Sequence, residues 1–281
     1  MKDYNTTDQH IHQLSQILAK IGRSLVPAKD DDSHTNLYWD PIRQQLLGRW
    51  VSSPGGLLLP ALNLKQTEFQ WIYKQMEVAG KVSLVDKTYY EAEDLVVSLS
   101  REVGIETKSL MAPLHFEIPD YPFKSAAINK LEEPELSEWS YFRTLANHIL
   151  NDLGKTVQRD VEVRIWPHHF DTGIYFQWSD EIGIGCGLAM EDAMAGAPYF
   201  YISAYTEDEQ FDYSDATALT HGKWIKEGSW KGGILPDLSQ SFGSRQRRGS
   251  LGLHDSSSFC LAHRLGVPIC PACFFHAPLR I

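Results

Sequence analysis

The chain has 281 residues, 43% hydrophobic and 11% aromatic, with 26 basic and 36 acidic side chains and a formal charge of −10. That length fits one large domain or two small ones, and the apolar content suffices for a packed core and argues against intrinsic disorder. The negative charge disfavours nucleic acid and anionic membrane surfaces as partners, and no apolar run approaches the roughly 18 residues of a spanning helix.

The opening M-K-D-Y-N-T-T-D lacks the apolar segment of a secretory signal, so a cytoplasmic location is expected. Of the four cysteines, only Cys186 lies outside the last 22 residues, which rules out a disulfide framework for the body and fits a reducing compartment.

In chain order, Ile11, Leu14, Ile17, Leu18, Ile21 and Leu25 recur at helical spacing and predict an amphipathic helix over 7–25, capped by Thr6 or Thr7 and stopped by Pro27. Residues 36–52 read as a hairpin turning at Asp40-Pro41, and Leu57-Leu58-Leu59 as a buried strand after Ser53-Pro54-Gly55-Gly56. A short helix is expected over 66–78 and a second over 88–103, closed by Gly80 and Gly104. Residues 109–118 read as an edge or bulged strand because of Pro113. After a polar connector at 125–137, Trp139, Phe142, Ala146, Ile149 and Leu153 predict a helix over 138–153 capped by Ser137.

The chemistry-bearing stretch runs from Val161 to Tyr205. Val161, Val163 and Ile165 alternate with polar residues as in a half-buried strand, and Ile174 to Trp178 alternate likewise. Between them stands W-P-H-H-F-D. Read as extended chain, this turn projects His169 and Asp171 to one side and His168 to the other. An imidazole backed by a carboxylate is an oriented acid–base or half of a metal site; the alternative is turn residues bonding their own backbone.

Gly183, Gly185 and Gly187 then alternate along a strand and suggest a bare backbone floor beside Glu191 and Asp192. Tyr199 and Tyr201 share one face of the next strand, and His221, Trp224 and Trp230 follow in a Gly- and Trp-punctuated segment that suits a pocket rim. Packing of aromatics over a sheet edge explains the same residues without a ligand.

W-P-H-H-F-D (166–171), the glycine segment ending in Glu191-Asp192, P-Y-F-Y-I (198–202) and H-G-K-W…G-S-W-K-G-G-I-L (221–235), with G-R-W-V (48–51), resemble a bacterial family known mainly as uncharacterised. The resemblance covers most of residues 35–236. That family's pattern is S-P-G-D followed by E-P-Y-F-Y; here A-M-E-D and A-P-Y stand instead, so only Asp192, Pro198 and the tyrosines correspond. The resemblance implies no established activity.

From Ser239 onward there are five Arg and one acidic residue, Asp255, giving +4, while the first 238 residues carry 21 basic and 35 acidic side chains, or −14. Cys270-x-x-Cys273, with Cys260, His263 or His276, has a zinc spacing but lacks a second Cys pair. An atypical, disordered or out-of-frame tail over 239–281 is the expectation.

The expected fold is α+β, with a mixed or antiparallel sheet and three or four packed helices. Helix, glycine, strand and His115-Phe116-Glu117 are echoed about fifty residues later by His169-Phe170-Asp171, which suggests two related halves, 1–124 and 138–238. The functional expectation is a small-molecule enzyme, hydrolytic or metal-assisted. His169 and Asp171 would be its acid–base pair, His168, Asp192 and His221 its neighbours, and Trp166, Tyr199, Tyr201, Trp224 and Trp230 its lining. A divalent metal, if used, would sit on His169, Asp171 and His221. A non-catalytic small-molecule-binding module and a structural or interaction protein are the alternatives; oligomeric state is not legible.

Overall fold

The computed structural model describes residues 2–206, 211–214, 216–219 and 221–236; the expected tail over 239–281 and its cysteines lie outside the described residues. The described chain is mixed α+β, with three helices and two antiparallel sheets, as the composition and patterning implied. Its described residues divide into two compact units, one of residues 2–144 with 164–171 and the other of residues 145–163 with the described part of 172–236. One division falls inside the third helix, and the expected connector at 125–137 lies wholly in the first unit.

In the first unit, helix α1 (Lys2–Leu25) begins earlier than the apolar pattern suggested. Ile11, Leu14, Ile17, Leu18 and Ile21 are buried as expected, but so are Asp8, His12, Gln13, Ser15 and Gln16 on the polar side. The helix is therefore enclosed nearly all round. A polar face without water must find partners in the protein, and that requirement shapes the site described below. Gly22 allows the close approach of α1 to the short 3-10 helix Ser33–Thr35, since a Cβ there would lie 2.6 Å from the His34 carbonyl oxygen.

The first sheet contains β1 (Tyr38–Asp40), β2 (Gln45–Leu47), β3 (Val51–Ser53), β4 (Gly56–Asn63), β5 (Glu68–Tyr73) and β6 (Val78–Ser83), in the order β1-β2-β4-β5-β6 with β3 also on β4. The helix expected over 66–78 is instead β5 and its turn. Phe69, Trp71, Ile72 and Tyr73 are strand-favouring residues. Thr67 and Met76 take positive φ, which sets tight turns at both ends. The polar Gln70 stays buried because Gln45 on the same sheet donates to it at 2.9 Å.

Pro60 sits inside β4, a position normally closed to proline because its missing N–H breaks a ladder. Here the ladder on that side is interrupted: β2 pairs with Ala61–Asn63 and β3 with Gly56–Leu58, and the pairing skips residues 48–50. The Pro60 carbonyl accepts from Gly48 N at 2.8 Å, so the proline's missing donor faces the gap.

Helix α2 (Tyr89–Glu102) matches its expected span and opens on a capping box between Thr88 and Glu91. Residues 109–118 form turns, not the expected strand. Their carbonyl oxygens at Ser109, Ala112 and Pro113 accept from Arg23, and Ser109 also accepts from Ser24. Side-chain donors from α1 thus replace a ladder. The first copy of the suggested repeat accordingly lacks its strand. Helix α3 (Glu133–Thr156) begins before Ser137, and strand β7 (Arg164–Trp166) joins the first unit through reciprocal Leu37 and Ile165 backbone bonds of 2.9 and 2.8 Å.

In the second unit, β8 (Asp171–Gln177), β9 (Ile182–Ala189), β10 (Tyr199–Thr206), β11 (Lys223–Ile225) and β12 (Gly232–Leu235) follow the order β11-β12-β10-β9-β8. On one face Ile184, Cys186 and Leu188 are buried with Ile174, Phe176, Phe200 and Ile202. The register puts Gly183, Gly185 and Gly187 on the other face with Tyr175, Tyr201 and Tyr205. A Cβ at Gly183 would collide with the Tyr175 ring and one at Gly187 with the Tyr201 ring, while one at Gly185 would press on the Tyr205 ring at 3.0 Å. The backbone floor expected from the sequence therefore exists, and the protein's own tyrosines cover it. Gly187→Val, whose Cβ would also lie 2.7 Å from the Thr172 carbonyl oxygen, is expected to lower the unfolding free energy by about 1–3 kcal/mol, measured as a drop in urea midpoint at unchanged slope.

Candidate functional site

The W-P-H-H-F-D stretch is not extended. Residues 167–170 form a turn between β7 and β8, closed by Phe170 N donating to the Trp166 carbonyl at 2.6 Å. Phe170 takes φ 53°, a left-handed conformation that costs an L-residue on the order of 1–2 kcal/mol. This turn overturns the two-apart reading: His169 is exposed, His168 half-buried and Asp171 buried.

The turn is held from inside the first unit by the polar side of α1 and by α3. Pro167 O accepts from Gln16 Nε2 at 2.8 Å and lies 2.8 Å from His12 Nε2. Phe170 O accepts from Arg143 Nη1 at 2.8 Å. Arg143 Nη2 also donates to Asp8 Oδ1 at 2.6 Å, and Trp139 Nε1 donates to the same oxygen at 2.7 Å. The Arg143 and Asp8 side chains are 1% and 2% exposed. The guanidinium lies 4.6 Å from the centre of the Phe170 ring, on which His12 stacks at 5.0 Å.

Burial pushes the Asp8 carboxyl up, against the pull of Arg143. Burial also lowers His12 to about 4, partly offset by its bond to the Pro167 carbonyl. His12 is thus a neutral core imidazole. Its Nε2–H donates to Pro167 O, and its Nδ1 accepts from Tyr121 OH at 2.7 Å.

Outside this clasp, His168 and His169 have ring centres 4.4 Å apart, and Trp166 and Phe116 lie 6.1 and 5.7 Å from His168. Burial lowers the His168 pKa, with the neighbouring His169 acting in the same direction. His115 Nε2 lies 2.9 Å from Asp32 Oδ2.

The remaining predicted residues belong to the second unit, in separate local arrangements. Asp192 closes its own turn, accepting from Met194 N at 2.8 Å and Ala195 N at 3.3 Å, and accepts from Tyr199 OH at 2.6 Å. Tyr201 packs edge-on to Trp230 at 6.1 Å. Trp224 stacks on Tyr213 at 5.0 Å and donates to the Thr217 carbonyl. His221 is exposed. Among the described residues no three His, Cys, Asp or Glu side chains gather so as to hold a metal ion.

A cleft of about 220 Å³ opens elsewhere in the first unit, lined by Tyr38, Leu47, Gly48, Arg49, Trp50 and Leu59. It lies where Pro60 interrupts the β4 ladder. Arg49 donates to the Ser33 carbonyl at 2.9 Å through Nε and to the Tyr38 hydroxyl, with its guanidinium 4.8 Å from the centre of the Tyr38 ring. Trp50 stays 41% exposed. G-R-W-V entered the sequence reading as part of the 36–52 hairpin and of the family resemblance, not as a site; Pro60 inside an apolar strand is the signal of the interruption.

Asp8 and Arg143 together make a sharp energetic test. Arg143→Met alone strands a buried carboxylate and is expected to cost about 3–5 kcal/mol, while the double replacement Asp8→Leu/Arg143→Met costs markedly less, measured by denaturant unfolding. His12 adds a pH dependence. Its stability contribution is complete above the unfolded pKa of about 6.5 and is lost as pH falls toward the folded value of about 4, because the unfolded state binds the proton first. Between pH 7 and 4.5 the wild type is expected to lose about 2–3 kcal/mol more than His12→Phe.

No family model matches this chain, and no curated protein or solved structure matches it significantly.

Proposed function

We propose that this protein is a non-catalytic small-molecule-binding module in which the W-P-H-H-F-D turn is a structural clasp. The observation that carries this reading is the use already made of the motif's polar groups. Both clasped carbonyls, Pro167 and Phe170, accept from buried side chains of α1 or α3, and Asp171 lies buried within the field of Arg143. An acid–base pair needs its carboxylate and imidazole to converge on an open site, and His169 faces outward while Asp171 faces inward. The small, half-open cleft beside Trp50, lined mainly by apolar atoms and with that indole 41% exposed, supports the binding reading.

The second reading, catalysis, is favoured by one observation. His168, held below its ordinary pKa by burial, sits against His169 with ring centres 4.4 Å apart.

A panel of chromogenic esters, phosphates and glycosides separates the two. The binding reading expects no turnover above buffer for the wild type, and a thermal-shift screen of small metabolites to yield compounds that raise the melting temperature equally in wild type and His169→Ala. Turnover that disappears in His169→Ala establishes catalysis instead, and a screen in which nothing shifts the melting temperature removes the binding reading.

A further inference from the structure

We infer that the cleft at the Pro60 interruption takes a flat aromatic acid, a one- or two-ring compound bearing a carboxylate or similar anion. This deepens the binding reading proposed above and rests on it. The volume of about 220 Å³ falls below the roughly 300–1,000 Å³ of pockets for drug-sized ligands, so the occupant is small.

The walls select its shape. Leu47 and Leu59 present aliphatic surface from β2 and β4, and Trp50 leaves 41% of its surface exposed. An indole lining the same cleft as aliphatic side chains favours a planar apolar ring, which gains area and offset stacking without needing hydrogen bonds.

The charge is selected by Arg49. Arg49 lines the same cleft, and its guanidinium is fixed in position by the Ser33 carbonyl and the Tyr38 hydroxyl. A positive charge that is already oriented favours an acidic substituent over a basic one, at no further ordering cost for the arginine.

The space exists for a backbone reason. Gly48 leaves β2 with its N–H committed to the Pro60 carbonyl, and a Cβ at Gly48 would lie 2.9 Å from the proline ring. The chain therefore detours through Arg49 and Trp50 before pairing resumes at Val51. Proline and glycine together hold the cleft open before any ligand arrives.

The test uses the full chain and 1-naphthoate, followed by calorimetric titration, with 1-naphthylmethylammonium as the charge control. Saturable binding of 1-naphthoate is expected, weaker by about tenfold or more in Trp50→Ala, partly restored in Trp50→Phe, and stronger than that of the ammonium compound. Circular dichroism confirms that each variant keeps its fold. Equal affinity in Trp50→Ala, or preference for the ammonium compound, overturns the assignment. Absence of 1-naphthoate binding also overturns it, while other compounds that raise the melting temperature leave the broader binding reading standing.

Discussion

The structure of the first unit depends on one requirement: a helix enclosed on its polar side must satisfy its own side chains. Asp8, His12 and Gln16 of α1 are withdrawn from water, and an unpaired buried carboxylate is far costlier than a lost surface contact. Arg143 and Trp139 of α3 answer Asp8 directly. The Pro167 carbonyl answers His12 and Gln16. A buried ion pair of this kind adds little net stability compared with apolar packing, but removing either partner is expensive. Its effect is therefore selective, since arrangements of this turn that miss Arg143 or the α1 donors leave polar groups stranded.

That selectivity explains the left-handed Phe170. Its backbone conformation is unfavourable for a bulky L-residue, yet its carbonyl receives the Arg143 guanidinium, its ring carries His12, and its N–H closes the turn onto Trp166. Local strain is held in place by contacts from distant parts of the chain. The same geometry directs Asp171 inward and His169 outward, so residues adjacent in sequence part company in their surroundings.

Two other features arise from residues that cannot do what their neighbours do. Pro60 cannot donate to a ladder, so one side of β4 is paired by two short strands with a gap between them, and the cleft beside Trp50 lies in that gap. Gly183, Gly185 and Gly187 carry no side chain, so tyrosines from β8 and β10 lie across β9. In each case a missing group creates space. In the second it is filled from within by Tyr175, Tyr201 and Tyr205; in the first, Trp50 remains exposed at its edge.

Residue patterning by itself determined the α+β class, the burial of Ile11, Leu14, Ile17, Leu18 and Ile21 along α1, the span of α2 and the glycine–tyrosine strands, because each rests on periodicity or on caps within a few residues. It misread 66–78 as helix, since a short run of Phe, Trp, Ile and Tyr carries either signal until its partners β4 and β6 are known. It also made residues 109–118 a strand, where Arg23 and Ser24 capture the carbonyls. The inward or outward aim of His168, His169 and Asp171 was beyond any local pattern. That aim depends on Asp8, His12, Gln16 and Arg143, and a contact across more than a hundred residues leaves no periodic trace. Tertiary structure alone decided whether the polar side of α1 faced water or protein, because the same spacing serves both until the surroundings are present.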